Sequence, residues 1–170
     1  MNRSDPYLRI VTSGMLLGLL MAFSSAVRAQ DPALGKLEIR YQTEMNPVQK
    51  AKLLAKIGPL EVDQAARDIK ADQEELALSV LERYRDDART GVTALVATQV
   101  NASKHPAGFK ELQIGLRESL RRLNDLFFLV PSDVQSRFEA VRSDLSATQN
   151  SLMEALFPTT KEKQTKGKGE

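Results

Sequence analysis

The chain has no cysteine, no tryptophan and a single histidine, and aromatic residues make up only 5% of its 170 residues. Without cysteine there is no disulfide, no thiolate nucleophile, no thiolate metal ligand and no lipid attachment through an N-terminal cysteine. With His105 alone, a multi-histidine metal site within one chain is excluded. The sequence also lacks a phosphate-cradling glycine loop, GxSxG, HExxH and EF-hand spacing, so no cofactor and no metal is expected. Charge of one sign is missing too. Taking Arg3, Arg9, Arg28 and Asp5 of residues 1–29 from 24 basic and 22 acidic residues leaves 21 of each. A balanced chain has no global field for nucleic acid.

What is present starts with an address. Arg3 and Arg9 precede the uncharged apolar run 10–23, and Val27 and Ala29 are small residues at the third and first positions before a cut at Ala29–Gln30. Basic start, short apolar middle and small-residue exit predict a signal peptide over 1–29. The run is short for a membrane span, which needs about 20 residues. The expectation is a periplasmic or secreted protein with no membrane span after cleavage. An inner-membrane anchor is the alternative if the leader stays.

The strongest periodicity lies in 109–130. Phe109, Leu112, Leu116, Leu120, Leu123, Phe127 and Val130 follow steps of three and four, which predicts a helix about 33 Å long with one apolar stripe. Asn46 followed by Pro47, with Gln49 three residues after the cap, opens another helix over 47–70. Gly58-Pro59 predicts a kink or a break in it. Asp72 with Glu75 reads as a capping pair for a helix over 73–100. Its stripe, Ala77, Leu81, Tyr84, Ala88, Val92, Leu95 and Gln99, has coiled-coil-like spacing, and Gly91 beside it predicts close approach of a neighbouring backbone. Residues 101–108 are a loop by composition. Ser132 and Asp133 read as the cap of a last helix carrying Val134, Phe138, Val141, Leu145, Thr148, Leu152 and Ala155. The Lys/Gly-rich 159–170 is expected to be disordered. Residues 30–46 read as an N-terminal arm, either a short helix or extended chain.

These elements predict an all-α fold. It is an antiparallel bundle of about four helices, or stacked helical hairpins, in a helical domain over 47–158 that follows the signal peptide and the arm. Such a segment is long enough to bury a core without disulfides.

Two features could carry binding. Arg117, Arg121 and Arg122 are the densest basic cluster; Glu118 and Asp125 partly neutralise it, and an anion or acidic partner is the functional reading. Leu126, Phe127, Phe128, Leu129 and Val130 are five consecutive apolar residues that cannot all face one stripe. Some must meet the Pro131 turn, the arm through Leu34, Leu37 and Tyr41, or another molecule. The adjacent pairs Glu74-Glu75 and Asp86-Asp87 point apart on a helix, so an acid/base pair would need partners such as Asp63 brought in from elsewhere. The sequence thus leads to an exported noncatalytic helical interaction module, an adaptor, chaperone-like binder or assembly subunit, with a protein partner or a second copy of itself. The alternatives are an enzyme with dispersed carboxylates and arginines between helices, and a carrier of a small apolar ligand.

Overall fold

The computed structural model describes residues 31–158, so the expected signal peptide and the expected disordered tail lie outside the described residues. All regular elements among the described residues are helical. They are α1 (Pro32–Thr43), α2 (Pro47–Lys70), α3 (Glu74–Ala97), α4 (Phe109–Leu126), one 3₁₀ turn (Phe127–Leu129) and α5 (Gln135–Leu156). The arm is therefore a helix, capped by Asp31, whose side chain accepts the Ala33 N–H at 2.8 Å.

Asn46 caps α2 as its sequence predicts: Oδ1 accepts the N–H groups of Val48 and Gln49 at 2.9 and 3.1 Å. The other two expected caps fail. Asp72 has φ of 55°, and the N–H groups of Asp72 and Gln73 donate back to the carbonyls of Ile69 and Asp68. The link after α2 is therefore a Schellman closure, and Asp72 terminates α2 instead of starting α3. Ser132 and Asp133 lie in a turn, and α5 begins one residue after Val134 with no side-chain cap. Helix α3 stops at Ala97, short of the expected Val100.

Helix α2 runs unbroken through Pro59. Proline has no N–H, so the carbonyl of Ala55 loses its intrahelical donor. That carbonyl meets α4 at Gly115: a β-carbon there would stand 2.6 Å from the Ala55 oxygen and 2.5 Å from its α-carbon. The small residues Ala55 and Gly115 let the two backbones approach this closely.

Helix directions follow from the paired residues. Lys52 with Glu111, Ala55 with Gly115 and Asp63 with Arg122 make α2 and α4 parallel. Glu75 with Arg137 and Arg89 with Asp144 make α3 and α5 parallel. Around the bundle the order is α2, α3, α5, α4, each packed on the next. Helices consecutive in sequence run antiparallel, as expected, but two of the four lateral contacts are parallel. The reason is the 98–108 connection, which crosses the bundle diagonal; its reach of about 36 Å far exceeds a diagonal of roughly 14 Å. Helix α1 lies along α2 as a fifth helix.

The core holds most of the expected stripes, but Gln99, expected on that of α3, lies exposed beyond the helix end with φ of 56°. Leu81, Tyr84, Leu112, Leu116, Leu123 and Phe138 are fully buried. Tyr84 spans the diagonal: its hydroxyl donates to Ser119 Oγ at 2.9 Å, and Ser119 Oγ donates to the Gly115 carbonyl at 2.9 Å. The ring passes Gly58, where a β-carbon would stand 2.2 Å from the Tyr84 oxygen. Gly91 does not meet a backbone; its neighbours are the side chains of Leu54 and Leu112.

Candidate functional site

The apolar run 126–130 is resolved by a change of helix type. Helix α4 ends at Leu126, and the tighter 3₁₀ turn redistributes the next residues around the axis. Leu126 and Val130 turn inward and are buried. Phe127 packs against the core edge, with the Arg142 guanidinium 6.0 Å from its ring centroid. Phe128 is 89% exposed and Leu129 49% exposed. The turn packs on α4 and α2, whereas α1 packs on α2 with Leu34 and Tyr41 buried, and the Tyr41 hydroxyl reaches Asp87 of α3. The result is an exposed aromatic tip at a corner of the bundle.

The arginine cluster splits. Arg122 faces α2, where it pairs with Asp63 and donates to the Pro59 carbonyl, besides bonding Glu118 at 2.8 Å. Arg121 bonds Glu118 at 2.8 Å and lies 3.6 Å from Asp125. The two arginines hold the Glu118 carboxyl down at about 2. Arg117 has no ion-pair partner among the described residues. Arg117 and Arg121 line an open groove of about 640 Å³ between α4 and α5, to which Arg122 does not contribute. Opposite them α5 presents Arg142, Ser143, Ser146, Gln149 and Asn150. Arg142 bonds Glu139 in a fork and donates to Asn124 Oδ1 at 3.1 Å, closing the end of the groove next to the tip. The α5 half was missed from sequence. Its signal is the polar row 139, 142, 146, 149, which marks a solvated face but not what stands across from it.

A second polar cluster lies under α1. Glu61 is 1% exposed, and its Oε1 accepts from Arg83 at 2.8 Å while its Oε2 has no hydrogen-bond partner among the described residues. Arg83 also bonds Glu38 of α1 at 2.7 Å. Beside them the Tyr41 hydroxyl donates to Asp87 at 3.3 Å. Burial pushes the Glu61 carboxyl up to about 7, against the pull of Arg83, and it raises Asp87 and Tyr41 as well. The carboxylates singled out in the sequence do not converge. Asp63 is taken by Arg122 and Asp86 by Arg85, and Asp87 faces Tyr41. Glu61 carried no sequence signal beyond its position on the buried side of α2. His105 is exposed in the 98–108 loop. Among the described residues no group of three or more His, Cys, Asp or Glu is placed to hold a metal, and no helix is long and apolar enough to cross a membrane.

In comparison with known proteins, no family model, no curated protein and no solved structure matches the chain.

Proposed function

We propose that the chain is a noncatalytic helical interaction module, exported to the periplasm or the exterior, that grips a protein partner with its aromatic tip. The observation that carries this reading is Phe128, 89% exposed and adjacent to half-exposed Leu129 on a turn whose flanks, Leu126 and Val130, are locked in the core. An exposed aromatic between buried flanking residues can serve as an interface anchor, because its short side chain loses few rotamers when it enters a partner's pocket.

Magnitude selects the kind of contact. Phe128 and Leu129 together offer on the order of 300 Å². Tip-to-tip pairing of two copies would bury about 600 Å², well under the roughly 1,200 Å² of a stable interface. The tip therefore works as an anchor within a larger contact, and the arginine-bearing flank beside it supplies the rest. The reading sets an enzyme aside because Glu61, the carboxylate poised nearest neutral pH, lies beneath α1 and is 1% exposed. It sets an apolar carrier aside because Tyr84, Phe138 and the leucine stripes fill the space between the helices.

The test is photocrosslinking in the cells that make the protein, with p-benzoyl-phenylalanine at position 128 and, as control, at exposed position 93. A discrete protein adduct formed from 128 and absent from 93 supports the reading. Equal labelling at both positions, or none at 128, overturns it.

A further inference from the structure

We infer that α1 is a strap, held down on the bundle while Glu61 carries a proton and released when that proton leaves. The strap is independent of the tip at Phe128, so the two stand or fall separately.

Helix α1 is built to detach. The ring of α2, α3, α5 and α4 closes without it. It joins α2 through the link 44–46, and α2 beyond that link keeps its own cap from Asn46. A helix of 12 residues is marginal on its own in water, so α1 holds its shape only while docked. What docks it is small. Leu34 and Tyr41 are its buried side chains, and Leu37 packs against the core beside them. It is tied to α3 through Glu38, which accepts from Arg83 at 2.7 Å, and through Tyr41, which donates to Asp87 at 3.3 Å.

The carboxylate beneath α1 is the one whose charge the docked form tolerates worst. Glu61 is 1% exposed, and its Oε2 meets no hydrogen-bond donor among the described residues. Its Oε1 shares one nitrogen of Arg83, Nη2, with Glu38. Glu38 from α1 and Asp87 from α3 add repulsion against the single attraction of Arg83. The phenols of Tyr41 and Tyr84 also face it, and burial keeps both protonated. Lys50, 4.7 Å over the Tyr41 ring, acts on Asp87. From α4, Arg122 reaches α2 at Asp63, about 200° around the helix from Glu61.

A buried anionic oxygen without a donor costs far more than a neutral carboxyl. Lifting α1 lets water reach that oxygen and removes Glu38 from its neighbour. The docked form therefore prefers the acid and the released form the anion, and the proton links the two. Burial pushes the docked carboxyl up to about 7, which places the transition near neutrality. With 4.5 as the hydrated value, the opening constant of α1 rises about tenfold between pH 6 and 8.

The experiment is amide hydrogen exchange on the full chain at pH 6, 7 and 8, each rate divided by the intrinsic rate at that pH. Amides 36–43 are expected to be at least about a hundredfold less protected than those of α3 and α5, and to lose about tenfold from pH 6 to 8. Glu61→Gln is expected to abolish that loss while α1 stays the less protected element. In the same wild-type sample the Glu61 carboxyl carbon is expected to titrate near pH 7. Protection of α1 equal to that of α3 and α5 overturns the proposal, because α1 then leaves only by global unfolding. So does α1 protection that is level from pH 6 to 8, a loss that persists in Glu61→Gln, or a Glu61 titration near 4.5. If Glu61→Gln does not fold, the wild-type exchange profile and the carboxyl titration decide alone.

Discussion

The Ala55 carbonyl and Gly115 meet at 2.6 Å, measured to the place where a β-carbon on Gly115 would stand. Two residues far apart in sequence explain each other here. Pro59 frees that carbonyl from its helix, and Gly115 makes room for it. Gly115→Ala is expected to destabilise the fold by about 1–3 kcal/mol, since backbone must shift and not a flexible side chain. Thermal unfolding would show a fall of several degrees; an unchanged midpoint would mean that the helices separate freely.

Tyr84 and Gly58 form the second dependence. A β-carbon at 58 would collide with the Tyr84 ring and hydroxyl, 2.2 Å from the oxygen. Gly58→Ala is therefore costly while Tyr84 is present and much less so once Tyr84 is shortened to Leu. A double-mutant cycle in denaturant is expected to give a coupling of about 1–3 kcal/mol. Additive effects would contradict the crossing of Tyr84 over Gly58.

Glu61 sets the direction of the pH response. Its folded value of about 7 lies above the ordinary 4.5, so between these values the folded chain holds more protons than the unfolded one. This contribution to stability is fully present below about pH 4.5 and is lost as pH rises through 7, an effect on the order of 3 kcal/mol. Asp87, also raised by burial, acts in the same direction. Glu118, held at about 2 by Arg121 and Arg122, acts in the other window: its contribution is present above the ordinary value and fades as pH falls toward 2. Stability is thus expected to peak in mildly acidic solution and to decline toward pH 8, and Glu61→Gln is expected to flatten that decline. A wild-type unfolding midpoint that stays level between pH 5 and 8 would refute the assignment.

The tip and the core should separate cleanly. Phe128→Ser removes a large apolar group that is already in water, and stability is expected to change by no more than about 0.5 kcal/mol. Leu126→Ala, two residues earlier and buried, is expected to cost about 2–5 kcal/mol. Chemical unfolding of both variants decides the matter; a large loss from Phe128→Ser would mean that the residue is structural.

Much of the fold was legible residue by residue. The stripes of 109–130 and of the last helix returned as buried faces, because a 3.6-residue period reports directly which side of a helix leaves water. The Asn46 cap was legible for the same local reason. Asp72 and Ser132-Asp133 carried the same cap chemistry and failed, because the end of α2 and the turn before α5 claimed those residues first. A capping pattern states what a residue can bond, not which of two helices will have it.

The candidate site was legible only in halves. Arg117, Arg121 and Arg122 read as one cluster, yet α2 draws Arg122 away to Asp63 and α5 leaves Arg117 facing amides. The run 126–130 announced a conflict, and only the 3₁₀ turn decided that Phe128 and Leu129 would be the residues left in water. By itself the sequence determined where helices form and which faces they bury, since propensity and periodicity act within a few residues. Tertiary structure decided that α2 and α4 run parallel, that Glu61 sits under α1 with one oxygen unpaired among the described residues, and that three guanidiniums share one groove. Those outcomes depend on which helices become neighbours across the diagonal, and no local pattern encodes the path of the 98–108 connection.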